Sequence, residues 1–169
     1  MAELLEVYPG AQRALFKQYH IGGCSSCGFQ PAETLADVCK RNENLAAEEV
    51  ISYLEKSQAD DELSLITPAD AAVALEAGKA RFLDIRTREE FEAVHITNSE
   101  LFSQDLLAVI TSEWDRSELI VIVDHKGKRA LDAAAYFAGH GFTNIRGLNG
   151  GIDAWSEQID PDIPRYHLE

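Results

Sequence analysis

A six-residue segment in the second half of the chain combines one acidic residue with three basic ones. It follows five consecutive apolar residues, Leu119 to Val123, and comprises Asp124, His125, Lys126, Gly127, Lys128 and Arg129. A loop between a buried strand and a helix is a common place for a bound anion, because backbone N–H groups and the positive end of the helix converge there. An aspartate at the first position of such a loop is unexpected, since a carboxylate repels anions and is a poor nucleophile.

The rest of this loop has the composition of an anion site. Lys126, Lys128 and Arg129 are three of the ten basic residues that follow residue 63, and Gly127 can adopt the positive φ that a backbone nest needs. The interpretation that we favour is that Asp124 supplies the anion itself and fills the nest, which makes the loop structural. Two alternatives are an ordinary helix N-cap and a phosphoryl acceptor, although the second carboxylate and metal ligands of such acceptors are not evident nearby.

Two cysteines form a second chemical motif, Cys24 and Cys27 in the stretch GGCSSCG. Two intervening residues let both sulfurs meet, either as a disulfide or as two ligands of one metal. A complete zinc site needs four ligands, and the obvious additions are Cys39 and His20. Cys39 lies on an apolar stripe and is better explained as a buried residue, and His20 as a helix C-terminal residue. We therefore favour a reversible disulfide without a cofactor, with zinc or iron at Cys24 and Cys27 as the alternative.

The order of these motifs along the chain predicts two domains. The segment KSQADDE is polar, charged and without periodicity, which suits a linker. We expect a small all-α Cys-x-x-Cys domain at residues 1–56, a linker at 57–63, and a second domain at 64–169. In the first domain, apolar spacing predicts a helix from Ala11 to His20, another opening at Pro31, and a third around residues 50–54.

The second domain alternates between strand-like and helix-like segments, which predicts an α/β fold with a parallel sheet. The predicted strands are Ala80 to Ile85, Leu119 to Val123 and Thr143 to Arg146. The predicted helices are Arg88 to Val94, Gln104 to Ser112, Arg129 to His140 and Gly151 to Ser156. The continuous apolar run at Leu119 is typical of a strand that is covered on both faces.

Two stretches, LDIRTREEFEAVHI and GFTNIRGLNGGIDAWSEQIDPDIPRY, resemble signatures of the rhodanese family in the family's order. The resemblance covers about Leu65 to Tyr166 and implies a rhodanese-like parallel sheet flanked by helices. In that family a cysteine opens the loop after the central strand and carries sulfane sulfur as a persulfide. Asp124 stands at that position here, and Val94 replaces the glycine of a Gly-His-Ile motif. The resemblance therefore implies that thiosulfate sulfurtransferase activity is absent at this loop, with Asp84 and Arg86 as a structural ion pair beside it.

The first domain carries a less specific resemblance. Tyr-Pro-Gly, the Cys-x-x-Cys-Gly loop and Glu33-Thr34-Leu35 resemble hybrid-cluster-associated redox disulfide domains. They are also similar to the N-terminal domain of di-iron proteins that repair iron–sulfur clusters. The match spans about Leu5 to Leu54. It implies handling of thiols, sulfur or iron–sulfur species, with Cys24 and Cys27 as the redox pair.

Composition limits the partners of the protein. The net charge of −14 argues against nucleic acid and anionic membranes, and no apolar run approaches the length of a membrane span. An odd number of cysteines and no visible secretory leader indicate a cytoplasmic protein. We expect an inactive rhodanese-like domain fused to a redox or sulfur-handling module, with protein partners in sulfur or redox metabolism. The alternative is a non-enzymatic interaction protein in which the cysteine pair is structural.

Overall fold

The computed structural model describes residues 1–22 and 28–166. The chain forms two compact units, Met1–Leu63 and Ser64–Glu169. Within the described residues, no helix combines the length and the apolar character that crossing a membrane requires.

The first unit is entirely helical in its described part. Its helices are α1 (Ala2–Val7), α2 (Ala11–Tyr19), α3 (Leu35–Arg41) and α4 (Ala47–Leu63). They enclose a core in which Leu15, Val38 and Leu54 are almost completely buried. Helix α2 confirms the predicted helix after Pro9-Gly10, whereas α1 was not predicted because its six residues show too little periodicity.

Helix α3 begins four residues later than predicted. Pro31 lies in the turn before it, and Thr34 is the N-cap. The side chain of Thr34 accepts a hydrogen bond from the backbone N–H of Asp37, and the Asp37 carboxylate accepts one from the backbone N–H of Thr34. This reciprocal capping box fixes the start of the helix more strongly than the fixed φ of proline does.

The segment that was predicted to be a linker, residues 57–63, instead forms the last part of α4. Glutamine, alanine and glutamate in this segment favour a helix even without an apolar stripe. Asp61 also pairs with Arg13 of α2, which ties the end of α4 to the helical core. A polar helix that is fixed by an ion pair therefore resembled a linker in the sequence.

The second unit is an α/β layer structure around a five-stranded sheet. Its elements in order are β1 (Leu65–Ile66), α5 (Pro68–Glu76), β2 (Ala80–Asp84), α6 (Arg88–Ala93), β3 (Ser99–Leu101), α7 (Gln104–Glu113), β4 (Leu119–Val123), α8 (Ala130–Gly139), β5 (Ile145–Leu148) and α9 (Gly151–Gln158). All strand pairs are parallel, in the order β1-β5-β4-β2-β3. This confirms the predicted fold class, although β1, α5 and β3 were not predicted.

Strand β4 lies at the centre of the sheet, and its residues 120–123 are fully buried. Ile120 and Ile122 face a cluster with Phe137 of α8, while Val121 and Val123 face a cluster with Trp155 of α9. Burial on both faces accounts for the unbroken apolar run in the sequence. The strand delivers the Asp124 loop to the carboxyl edge of the sheet, between the carboxyl ends of β5 and β2.

Candidate functional site

The carboxylate of Asp124 lies inside its own loop and is bound by backbone donors. It accepts one hydrogen bond from the N–H of Gly127 and another, of 2.7 Å, from the N–H of Arg129. The residue is only 3% exposed. Helix α8 begins at Ala130 with Arg129 as its N-cap, so the alternative of Asp124 as that N-cap is wrong. Two of the donors with which such a nest would hold an external anion are thus engaged by Asp124.

The backbone of the loop is shaped by one of its own glycines and by a glycine that follows β5. Gly127 has φ 83° and Gly151 has φ 61°, conformations that disfavour any side chain. A Cβ on Gly151 would lie 2.5 Å from the carbonyl oxygen of Asp124. That same oxygen accepts a 2.9 Å hydrogen bond from the N–H of Ile152, and the next loop carbonyl, of His125, accepts one from α9. The first residues of α9 therefore fix the position of the Asp124 loop through these two backbone hydrogen bonds.

The three basic residues of the loop point their charge outward. Lys126, Lys128 and Arg129 are all exposed. In residues 1–22 and 28–166, no group of three histidine, cysteine, aspartate or glutamate side chains lies close enough to hold a metal ion. The phosphoryl-acceptor alternative for Asp124 gains no support from its surroundings.

Asp84 and Arg86, at the end of β2, form a buried ion pair. Nη2 and Nε of Arg86 lie 2.7 and 3.0 Å from the two carboxylate oxygens of Asp84, and both side chains are at most 1% exposed. Nη2 also donates to the carbonyl of Val94, at 2.8 Å. Burial opposes the charge of the guanidinium, but the hydrogen bonds to Asp84 and Tyr166 outweigh it and raise the pKa of Arg86. The predicted structural ion pair is confirmed.

Tyr166 completes this network from a distant part of the sequence. Its hydroxyl accepts a 2.8 Å hydrogen bond from Nη1 of Arg86 and donates one of 2.7 Å to Glu90 of α6. Burial and the bond to Glu90 raise the pKa of Tyr166 to about 12. Burial alone would raise the pKa of Glu90, but the hydrogen bonds from Tyr166 and Thr87 lower it. The phenol therefore stays protonated and the carboxylate ionised at neutral pH.

The same tyrosine contacts the loop directly. The rings of His125 and Tyr166 are stacked, with centroids 4.4 Å apart and planes 22° from parallel. Nε2 of His125 lies 2.9 Å from the carbonyl oxygen of Tyr166, so this nitrogen carries the proton. Sequence reasoning did not assign Tyr166 or Glu90 to the site, because their contacts join residues that are 41 and 76 positions apart.

The cysteine pair of the first unit, Cys24 and Cys27, lies outside the described residues. Cys39 is 2% exposed within the helical core, where burial and the nearby Glu48 raise the pKa of its thiol. Its predicted role as a buried apolar residue is confirmed. His20 is the C-cap of α2 in the left-handed conformation, with φ 57°, which confirms its placement at a helix end.

Comparison with known families assigns the second unit. Residues 67–158 match the model of the rhodanese-like domain. The chain belongs to the rhodanese-like family. The match covers the elements from α5 to α9, including the Asp124 loop, and leaves β1 and the first unit outside it.

Two curated relatives of this chain are named as sulfurtransferases. The thiosulfate sulfurtransferase GlpE of Pseudomonas syringae pv. syringae is 32% identical over 88 residues, which are 52% of this chain and 83% of that protein. The adenylyltransferase and sulfurtransferase UBA4 of Candida albicans is 25% identical over 174 residues, which span 94% of this chain but only 38% of that protein.

Solved structures support the fold. The human single-domain sulfurtransferase TSTD1 superposes with a TM-score of 0.51 at 22% identity, and the alignment covers 56% of this chain and 96% of that one. At this identity the likeness shows a shared fold and no more.

Proposed function

We propose that the rhodanese-like domain of this protein carries no sulfane sulfur at its loop and acts as a non-catalytic partner of the Cys-x-x-Cys module. The observation that supports this most strongly is the position of the Asp124 carboxylate, which is buried and accepts hydrogen bonds from Gly127 and Arg129 of the loop. An aspartate held in this way is a structural part of the loop.

The chemistry of sulfur transfer explains why this position matters. Persulfide formation needs a sulfur nucleophile whose thiolate is stabilised by nearby positive charge. A carboxylate cannot hold sulfane sulfur, and its negative charge repels the thiosulfate dianion. Asp124 also engages backbone donors that would otherwise stabilise an incoming anion. The loop of this domain therefore lacks both the nucleophile and part of the anion-binding capacity.

The sulfur or redox chemistry of the protein is then assigned to Cys24 and Cys27. Among the cysteines, Cys39 is buried in the helical core and its thiol has a raised pKa, which makes it a poor nucleophile. The names of the curated relatives place this family among sulfurtransferases. The proposed role of the whole chain is to exchange a dithiol and a disulfide, or to pass on sulfur, with protein partners that the rhodanese-like domain docks.

The test is a thiosulfate-and-cyanide assay of the full chain, in which thiocyanate production is followed. We expect no thiocyanate production that depends on Asp124. If the wild type produces thiocyanate, the double variant Cys24→Ser/Cys27→Ser should abolish it, because the sulfur then passes through the first unit. Thiocyanate production that survives the loss of both cysteines would refute the proposal.

The rate at which Cys24 is alkylated distinguishes a reactive pair from a structural one. A redox-active thiol has a depressed pKa and reacts well below pH 8. Alkylation of the reduced protein across pH 5–10 should show such a depressed pKa. An ordinary pKa near 8.5 would favour the alternative, a non-enzymatic interaction protein whose cysteines stabilise a loop.

A further inference from the structure

The segment after α9 returns across the second unit and forms what we call the strap, residues 160–166. The side chain of Ile163 is buried, and its carbonyl accepts a hydrogen bond from the Ser156 hydroxyl. Arg165 forms two hydrogen bonds with Asp153 of α9, of 2.7 and 2.8 Å. The strap is therefore fixed along its length before it reaches Tyr166.

The topology of the sheet shows where the strap runs. Strands β5, β4 and β2 are neighbours, and the parallel arrangement places their carboxyl ends at one edge. Arg165 is held by α9, which follows β5. The backbone and ring of Tyr166 meet His125, which follows β4, and its hydroxyl meets Arg86 and Glu90, which follow β2. The strap thus crosses the edge at which parallel sheets bind ligands, over the β4 loop.

We propose that Tyr166 closes the entrance to the Asp124 loop, so that this loop is blocked from inside by Asp124 and from outside by the strap. This inference rests on the proposed function, because it describes a second reason why the loop does not accept a sulfur donor. Tyr166 acts as an access-determining residue and takes no part in any bond that is made or broken.

The contacts that hold Tyr166 in place are several and mutually supporting. Opening the entrance breaks the ring stack with His125, the hydrogen bond from His125 Nε2, and both hydrogen bonds of the phenol. Hydrogen bonds to charged groups, such as those to Arg86 and Glu90, are stronger than neutral ones. The closed state should therefore dominate, and a reagent should reach the loop only through a minor open population.

Installing a nucleophile in the loop makes this closure measurable. In the variant Asp124→Cys, the thiolate attacks the sulfane sulfur of thiosulfate. A new bond forms between the introduced thiolate sulfur and the sulfane sulfur. The sulfur–sulfur bond of thiosulfate breaks, and sulfite leaves with the electron pair of that bond. The product is a persulfide at position 124, and no further oxidant or reductant is needed. Exposed Lys126 and Lys128 retain positive charge that favours the thiolate.

The experiment compares the rate of persulfide formation in full-length Asp124→Cys with and without Tyr166→Ala or Tyr166→Phe, by peptide mapping and mass spectrometry. We expect Tyr166→Ala to raise the rate by about tenfold or more, since loss of the hydroxyl bonds and the ring stack populates the open state. Tyr166→Phe keeps the ring and should give an intermediate increase. The matched control is Tyr136→Ala on α8, because Tyr136 also contacts a histidine ring at 4.4 Å but does so away from the loop. This control should leave the rate unchanged.

Two thiol reagents of different size separate access from a change in thiol reactivity. If Tyr166 controls access, Tyr166→Ala should accelerate a bulky aromatic disulfide reagent much more than iodoacetamide. If Tyr166→Ala alters only the pKa of the introduced thiol, both reagents should be accelerated by the same factor, and that result would overturn the proposal. This comparison holds even if thiosulfate reacts with none of the variants. Fluorescence of the buried Trp114 and Trp155 shows whether each variant is folded. If Tyr166→Ala unfolds, Tyr166→Phe replaces it in the comparison of the two reagents.

The outcomes for the two proposals differ. Equal rates for Asp124→Cys with and without Tyr166→Ala, for every reagent, would remove the role of Tyr166 and leave that of Asp124 intact. Thiocyanate production from thiosulfate and cyanide by the variant Cys24→Ser/Cys27→Ser would instead contradict the proposed function.

Discussion

Replacing Asp124 by alanine removes the anion that holds the loop together. The variant leaves the N–H groups of Gly127 and Arg129 without the carboxylate that accepts their hydrogen bonds. Each hydrogen bond to a charged acceptor contributes about 1.5–3 kcal/mol. Because Gly127 is only half-buried and Arg129 is exposed, water can replace part of the interaction, and the lower end of that range applies. We therefore expect the free energy of unfolding to fall by about 3 kcal/mol.

Urea unfolding followed by tryptophan fluorescence is the assay, because Trp114 and Trp155 are both buried in the second unit and report its unfolding. With a slope of about 2 kcal/mol per molar urea, the midpoint should fall by about 1.5 M. The control is Asp162→Asn, a change at an exposed carboxylate, which should alter stability by less than about 0.5 kcal/mol.

Anion rescue tests whether the emptied loop is a nest. Sulfate should raise the unfolding midpoint of Asp124→Ala more than that of the wild type, because binding to the folded state alone contributes about 2.7 kcal/mol at a hundredfold excess over Kd. The wild-type protein measures the general stabilisation by sulfate, which affects any folded protein. The reasoning would be refuted if alanine cost less than about 0.5 kcal/mol, or if sulfate stabilised both proteins equally.

Three further predictions concern the surroundings of the loop and the cysteine pair. Gly151→Ala should destabilise the second unit by at least about 2 kcal/mol in urea unfolding, because the residue has a positive φ and its new Cβ would clash with the carbonyl oxygen of Asp124. The control is Gly139→Ala, which should be neutral or stabilising because a Cβ there meets no other atom. The pKa of Tyr166 is raised to about 12 in the folded protein, whereas the unfolded phenol ionises near pH 10. The free energy of unfolding of the wild type should therefore decline relative to that of Tyr166→Phe as the pH rises from about 10 to about 12. Parallel pH profiles of the two proteins would contradict this. Cys24 and Cys27 should form a disulfide with a midpoint above about −300 mV in thiol trapping, and tightly bound zinc or iron would exclude that assignment.

Much of the fold could be predicted because its strongest signals are local. The buried strand β4 shows as an unbroken apolar run, and helices α7 and α8 show clear periodicity between turn residues. Strand β1 has two residues and is stabilised by pairing with β5, which no local pattern reveals. The end of α4 was misread because its polar residues are fixed by a long-range ion pair between Arg13 and Asp61.

The candidate site could likewise be predicted only in part from the sequence. The unusual charge pattern of the Asp124 loop is visible in six consecutive residues, so its composition pointed to a nest that could hold an anion. The contacts of Tyr166 were not predictable, because they depend on the strand order that brings the strap over the β4 loop. The available signal was an aromatic residue just beyond the last helix, and an aromatic side chain at such a position packs equally well against a core or an edge.

Mapping of sulfur onto the wild-type chain tests the central claim most directly. The reduced full-length protein is treated with thiosulfate, and its peptides are searched by mass spectrometry for added sulfur at each of the three cysteines, Cys24, Cys27 and Cys39. We predict that any persulfide is confined to Cys24 or Cys27, and that the variant Cys24→Ser/Cys27→Ser produces no thiocyanate from thiosulfate and cyanide. A persulfide at Cys39, or thiocyanate production by that double variant, would contradict the account.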